Sequence, residues 1–342
     1  MKKKKSYTWL SLAFFAWIAL SLPLTARAQD DGQAVRALFD KGAALVRQGD
    51  HDAAIAVFDD IDRRFGGDTS PTVREWVVSA LFSKGVVLKP DAAIAVLDDV
   101  DRRFGEDDSP GVRKIVAAAL FIKGVTLGEQ GKRDAAIAVY DEVDRRFGQD
   151  DSPDVRERVA KALFKKSSAL WEQRKYDATI AVTDELDRRF GRDDLPAVRE
   201  QVAEALYNKG VILGEQARPD AAIAVYDDLA RRFGEDTSSV VRDMVAMALF
   251  NKGAYWMRQN KHDVGIAVFD ELDRRFGEDN SPRVREQVAK AIFIKSWALG
   301  KQNRPDAAIA VYDEAVRRFG RDDSPAVREI VAKAREIRRS LK

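Results

Sequence analysis

The chain has 342 residues, 45% of them hydrophobic and 33% charged, with two histidines and no cysteine. That supports a large core, excludes disulfides and thiolate chemistry, and leaves little imidazole for catalysis or metal binding. A formal net charge of +2 with interspersed signs gives no electrostatic case for nucleic acid or an anionic lipid surface.

Met1 to Ala28 reads as an export signal. Lys2 to Lys5 form a basic start, Trp9 to Leu24 an apolar core, and Ala26-Arg27-Ala28 a small-x-small cleavage site. Cleavage is expected near Ala28, leaving residues 29–342 as a single repeat domain in the periplasm or cell envelope of a bacterium. The alternative is an uncleaved signal anchored in the inner membrane, against which the apolar run counts by falling short of the ~20 residues a spanning helix needs. No Cys follows, which excludes a lipoprotein. Losing the segment removes five cations and no acid, so the remaining chain carries −3.

Asp30 and Asp31 can cap a helix running to about Gln48, with Val35, Leu38, Phe39, Gly42 and Leu45 on one face. A repeat follows. The stretch Asp134 to Gly148 has close copies beginning at Asp52, Asp91, Asp177, Asp220, Asp263 and Asp306, spaced 43 residues apart from Asp134 onward and 39 between Asp52 and Asp91. The four missing residues fall between Val87 and Asp91, in a turn, where a deletion leaves packed faces intact.

Each full unit predicts two amphipathic helices, a longer one such as Ser152-Pro153 to about Gln173 and a shorter one such as Asp177 to Phe190. Val112, Val116, Ala119, Leu120, Gly124 and Leu127 line one stripe of a long helix; Ala136, Ile137, Tyr140, Val143 and Phe147 line one of a short helix. Between short and long helices runs Gly, a polar turn, then Ser-Pro. Glycine is expected in the left-handed position, serine as the cap and proline in the first turn. Asp141 with Arg145 and Glu142 with Arg146 are i,i+4 pairs, and the Arg-Arg doublets are expected to form a solvated face. After Ser324-Pro325 the last long helix keeps Val327 and Val331 but has Arg335-Glu336 in place of Leu-Phe, as a capping helix closing the stack should.

With Leu206, Gly210 and Leu213 on the first helix and Ala222, Tyr226 and Leu229 on the second, the unit resembles the tetratricopeptide repeat family. The pattern recurs as Leu120, Gly124, Leu127, Ala136, Tyr140 and as Leu249, Gly253, Trp256, Gly265, Phe269, while Ser167 and Ser296 replace the glycine. The period of 43 departs from the family's ~34, Lys209 stands where leucine is common, and Gly234 falls near the family's terminal proline. The resemblance implies an all-α fold, a right-handed superhelical solenoid of about seven antiparallel helix pairs plus a C-terminal capping helix. It also implies a concave groove, lined by the long helices, that binds proteins or peptides.

No residues support catalysis. His51 and His262 occupy equivalent turn positions, and no nucleophile motif, Walker loop or zinc spacing is present. Acidic turns such as Gly105 to Pro110 lack the alternating spacing of a calcium loop, so no cofactor or metal is expected. The lysines at 41, 84, 123, 166, 209, 252 and 295 either pair with acids on neighbouring short helices, the leading Asp or the Asp141 class, the favoured reading, or form a basic ladder for an acidic partner. The ladder Phe82, Phe121, Phe164, Tyr207, Phe250 and Phe293 reads as core packing between successive repeats, with a groove of aromatic anchors as the alternative. Positions that differ between copies are better placed to select a partner: Trp171, Trp256, Met257, Arg258 and Trp297. The favoured function is an exported protein-binding or peptide-binding scaffold. A carboxylate-using envelope enzyme and a nucleic-acid-binding helical repeat are the alternatives, the second opposed by the charge of −3.

Overall fold

The computed structural model describes residues 30–340; the expected export signal lies outside them. The described residues form helices and turns. Residues 30–48 make α1, followed by α2 (His51–Phe65), α3 (Pro71–Val87), α4 (Pro90–Phe104), α5 (Pro110–Glu129), α6 (Arg133–Phe147) and α7 (Pro153–Glu172). Then come α8 (Tyr176–Phe190), α9 (Pro196–Glu215), α10 (Pro219–Phe233), α11 (Ser239–Arg258), α12 (His262–Phe276), α13 (Pro282–Lys301), α14 (Pro305–Phe319) and α15 (Pro325–Ser340). The chain divides into two compact units, one through Ala162 and one from Leu163 onward.

Within each unit the long helices pack on one another, α3 on α5 in the first and α9, α11, α13 and α15 in series in the second. Short helices wedge between consecutive long ones, as α4 does between α3 and α5 and α12 between α11 and α13. The expected stripes are buried: Val112, Val116, Leu120 and Leu127 on α5, and Ala136, Tyr140, Val143 and Phe147 on α6. Ile137 is half-buried. The small residue on the long helix has a definite function. A Cβ on Gly124 would stand 2.5 Å from the Tyr140 ring, so the short-helix ring lies directly on the long-helix backbone. Where Ser167 takes the glycine's place, the ring's place is taken by the smaller Thr183, and both are buried.

The turns differ from expectation in three ways. The glycine after each short helix is right-handed, φ −59° at Gly105 and −64° at Gly234. What it provides is space: a Cβ on Gly105 would lie 2.8 Å from the Arg146 guanidinium, which donates to the Gly105 carbonyl at 2.5 Å. The left-handed residues belong to the other turn, long to short, at Gly49, Gly131, Arg174, Ala217, Asn260 and Asn303. Serine does not cap the long helix either. Its own amide donates to the aspartate two residues before it, at 3.0 Å from Ser109 to Asp107 and 2.7 Å from Ser281 to Asp279. That aspartate supplies the local acceptor, taking the hydroxyls of Ser109 and Ser152 as well, while the Ser281 hydroxyl donates to Asp243 at 2.6 Å.

The deletion before Asp91 also reaches further than a turn. It shortens α3 to 17 residues against 20 in α5 and leaves Val86 55% exposed. It removes the glutamine that elsewhere bonds the preceding repeat's leading aspartate, as Gln130 does Asp91 at 2.9 Å.

The arginine doublets are only half solvated. The first member stays out, Arg145 being 69% exposed and bonded to Glu142 three residues earlier rather than paired as expected with Asp141. The i,i+4 contact of Arg146 with Glu142 does form, at 3.7 Å. The second member crosses to the previous repeat. Arg103 donates to Asp62 at 2.8 Å and to the Gly66 carbonyl at 3.1 Å; Arg232 donates to Asp187 and the Gly191 carbonyl, each at 2.7 Å. A third arginine comes from the long helix and bonds the turn aspartate of the next repeat, as Arg74 does Asp107 and Arg199 does Asp236, each at 2.8 Å. Between them lies the short helix's terminal ring: Arg199 and Arg232 sit 5.1 and 5.2 Å from the Phe233 centroid. The repeated lysines pair internally, Lys84 with Asp59 and Lys123 with Asp98 at 2.5 Å, and Lys209, Lys252 and Lys295 with Asp184, Asp227 and Asp270. At the end of the chain Val327, Val331 and Ala334 are buried while Arg335 and Glu336 face water.

The turn aspartates make acid stability predictable. Burial alone would raise the carboxyls of Asp107, Asp150, Asp279 and Asp322, but serine amides and the arginines outweigh it, holding all four below 3.8. The unfolded chain therefore takes up these protons first. Their contribution is complete above about pH 5 and is lost as pH falls through the depressed folded values. Urea denaturation between pH 6 and pH 2 should show a falling unfolding free energy, with a shallower decline in Asp279→Asn.

Candidate ligand-binding site

A cluster of aromatic side chains lies on the long-helix layer of the second unit. It encloses a cavity of about 470 Å³ walled by Tyr207, Val211 and Glu215 of α9, Tyr226 of α10, Phe250, Asn251, Ala254, Tyr255, Met257 and Arg258 of α11, and Ile294 of α13. Helical spacing brings them together. Tyr207, Val211 and Glu215 are four apart, as are Phe250, Ala254 and Arg258, and each set forms a stripe along its helix.

Two contacts order the interior. The Tyr207 and Tyr255 rings flank Tyr226 at centroid distances of 6.2 and 6.4 Å, the second pair stacked at 18°. The Asn251 amide donates to the hydroxyls of Tyr207 and Tyr226 at 3.4 and 3.3 Å. Tyr255 fits because α9 has glycine at position 214, where a Cβ would overlap its hydroxyl. Burial is the main cause raising the Tyr207 and Tyr226 phenols above their ordinary value, and the Asn251 bond only partly offsets it. Both therefore stay neutral at physiological pH. The cavity offers aromatic faces, phenol hydroxyls and one amide to a ligand, with the oppositely charged Glu215 and Arg258 at its rim.

Of the residues expected to bind a partner, Tyr207, Phe250, Met257 and Arg258 line this cavity. The others do not. Phe121 and Phe164 are each 7% exposed, and Phe121 packs 6.3 Å from Tyr140 in the first unit. Trp171 is half-buried on α7. Trp256 and Trp297 belong to a different cluster around the α11–α12 turn, where Lys261 lies 4.5 Å over Trp256 and His262 stands edge-on to Trp297 at 6.0 Å. Trp297 is 44% exposed. The aromatic ladder packs within each helix pair, Phe250 on Phe269 at 6.0 Å and Phe293 on Tyr312 at 5.9 Å, rather than between successive repeats.

Two residues that shape the cavity carry a signal in the sequence. Tyr255 stands where other copies have Thr126, Ala169, Ile212 and Ala298, and Asn251 where they have Ile122, Lys165, Asn208 and Ile294. Met257, by contrast, differs for a structural reason. It stands where other copies have Gly128, Gly214 and Gly300, and its sulfur lies 3.1 Å from where a Cβ on Gly265 would be. Gly265 in turn replaces an alanine seen at Ala136, Ala222 and Ala308. The thioether fills the volume the alanine vacated.

Among the described residues no group of three His, Cys, Asp or Glu could hold a metal ion, and no helix is long and apolar enough to cross a membrane.

A family model described as tetratricopeptide repeat matches residues 19–69 and 207–280, the second span running through the cavity. Over those two stretches the chain matches the tetratricopeptide repeat. Among solved structures, the chain resembles the apo form of RapI with a TM-score of 0.54 at 11% identity, over 90% of this chain and 86% of that one. At that identity the likeness is one of fold. It also aligns with the apo quorum sensor NprR from B. thuringiensis, at 11% identity over 90% and 82% of the chains with a TM-score of 0.45. A thermophilic TPR protein of Thermus thermophilus aligns at 18% identity over 66% of this chain and 98% of that one, with a TM-score of 0.33. No curated protein matches.

The compensating pair gives a test. Met257→Gly should destabilise the chain by about 2 to 4 kcal/mol through the cavity it leaves. Adding Gly265→Ala should restore about 1 kcal/mol or more, read as a coupling energy in a double-mutant cycle of urea denaturations.

Proposed function

We propose that this protein is a non-catalytic scaffold that binds a protein or peptide on the long-helix face of its second unit, with the tyrosine-lined cavity as the anchoring pocket. The observation that carries this is the Tyr207–Tyr226–Tyr255 group ordered by Asn251. Elsewhere in the array the long-helix ring simply packs on its short-helix partner, as Phe121 does on Tyr140. Here the added Tyr255 and Asn251 leave an open, hydrogen-bonding recess. Its volume of about 470 Å³ is within the range of small-ligand pockets and suits one anchoring side chain and its adjoining backbone. Preformed aromatic walls bind such a group with little ordering cost, and Glu215 and Arg258 at the rim can set the direction of a bound chain.

Selection of a displayed random peptide library on the purified protein tests this. Enriched peptides should bind the native chain and lose roughly tenfold or more in affinity to Tyr255→Ala and Asn251→Leu, by analogy with buried aromatic anchors elsewhere. Trp171→Ala should leave binding unchanged. Peptides that bind Tyr255→Ala and Asn251→Leu as well as the native chain would place the recognition surface elsewhere.

The site of action we infer from the sequence is the bacterial cell envelope, on the strength of Lys2 to Lys5, the apolar Trp9 to Leu24 run and Ala26-Arg27-Ala28. N-terminal sequencing of protein recovered from cells should begin at Gln29; a start at Met1 would point instead to anchoring or to retention inside the cell.

A further inference from the structure

A second cavity, sharing no residue with the aromatic one, opens at the other ends of the helices in the same unit. It measures about 800 Å³ and is walled by the C-terminal turns of α8 and α10 and the first turn of α9. Its wall contains six arginines and two acids, Asp187 and Asp228.

The ion pairs account for most of this charge. Arg232 is committed to Asp187, Asp228 and the Gly191 carbonyl, and Arg199 to Asp236 outside the wall. Arg188 bonds Glu185, to which Arg189 also comes within 3.7 Å. Arg231 pairs with Asp228, already shared with Arg232. Counting Glu185, Asp236 and the turn's own Asp193 and Asp194, six cations face six acids. Asp193 also accepts the Leu195 amide at 2.9 Å, and Asp194 has counterparts in other turns at Asp108, Asp151 and Asp323.

Arg192 makes this copy different. It is exposed, and among the described residues it has no carboxylate partner within ion-pair distance. The equivalent turns carry Gly67, Glu106, Gln149, Glu235 and Glu278, so relative to three of them the local charge changes by two units. Arg321 is the one other arginine at this position, but it follows α14, and among the described residues no short helix supplies there the wall that α10 supplies here.

We propose that this cavity binds a compact polyanion of the class that carries two phosphate groups. A volume of about 800 Å³ exceeds the needs of a single oxyanion and lies within the range of small-ligand sites. Guanidinium groups present planar, bidentate donors to phosphate oxygens. Arg188 and Arg231 are held by i,i+3 pairs at 69% and 72% exposure, which is weak tethering in water, so both can turn to a more highly charged ligand. Arg199 and Arg232, fixed over Phe233, form the rigid floor.

Isothermal titration of the full-length chain with inorganic pyrophosphate at low ionic strength tests the site. One saturable site is expected, weakening as salt is added. Arg192→Glu installs the residue that three other turns already carry, so the fold should be kept, which circular dichroism melting checks. It should weaken binding by roughly tenfold or more, while Arg321→Glu should leave affinity within about twofold. The proposal fails if pyrophosphate gives no saturable heat, if Arg192→Glu binds like the native chain, or if Arg321→Glu loses as much as Arg192→Glu does.

Discussion

The structure rests on one recurring contact, the phenylalanine that ends a short helix held between two guanidinium groups, as at Phe104, Phe147, Phe233, Phe276 and Phe319. One arginine comes from the same short helix and one from the preceding long helix, as Arg103 and Arg74 do over Phe104, 5.3 and 5.0 Å from its centroid. Each also carries its charge to a carboxylate, Arg103 to Asp62 and Arg74 to Asp107. A ring that packs the core thus also fixes two ions that join one repeat to the next. Lysine is a poor replacement for either arginine, because its compact ammonium lacks the planar fork that can approach the ring and still donate to a carboxylate. The glycine that follows the phenylalanine is required for the same reason, since the neighbouring guanidinium occupies the space of its Cβ.

Because these contacts join the repeats along one edge, the opposite halves of the long helices are free to vary. Residues from Phe250 to Arg258 on α11 depart from the repeat at five or more positions, yet the first turns of the same helices keep the arginine and the Ser-Pro pattern or close to it. The aromatic cavity forms where the structural demand is least. Its tyrosines still contribute to packing, since Tyr226 is fully buried and its phenol is pushed well above the ordinary value. The open part of the recess is added on top of a core that would be complete without it.

The fold was legible in the sequence because both helix stripes and the repeat period are set by burial, which leaves a regular trace. Helix ends were misread for a reason that is also physical. A Gly-x-Asp-x-Ser-Pro turn satisfies the usual signs of a left-handed glycine and a serine cap, but those signs consider one chain segment at a time. The aspartate here serves the amide two residues on and an arginine some 37 residues away, and the glycine makes room for an arginine 41 residues away. Neither distant partner is visible in a local reading. Four of the nine residues expected to bind a partner do line the cavity. Phe121 does not, because its ring packs back onto Tyr140 of its own short helix, and Phe164 is buried on α7.

Departure from the repeat is therefore evidence of function only after its structural partners have been removed. Met257 departs from glycine because Gly265 departs from alanine, and Ser167 departs from glycine beside a Thr183 that departs from tyrosine. In each such pair the two changes meet across a shared contact, and neither member needs a ligand to explain it. Tyr255 survives this filter: the glycine beneath it, Gly214, is the ordinary residue of the repeat, so nothing changed to accommodate the ring. Arg192 survives it as well: Asp193 recurs in the other copies and Asp194 in several, as Asp108 and Asp151, while the charge at position 192 is opposite to that of Glu106, Glu235 and Glu278. A residue that departs alone, and places an aromatic face or a charge where the scaffold has no use for it, is the kind of change that a repeat array acquires for something outside itself.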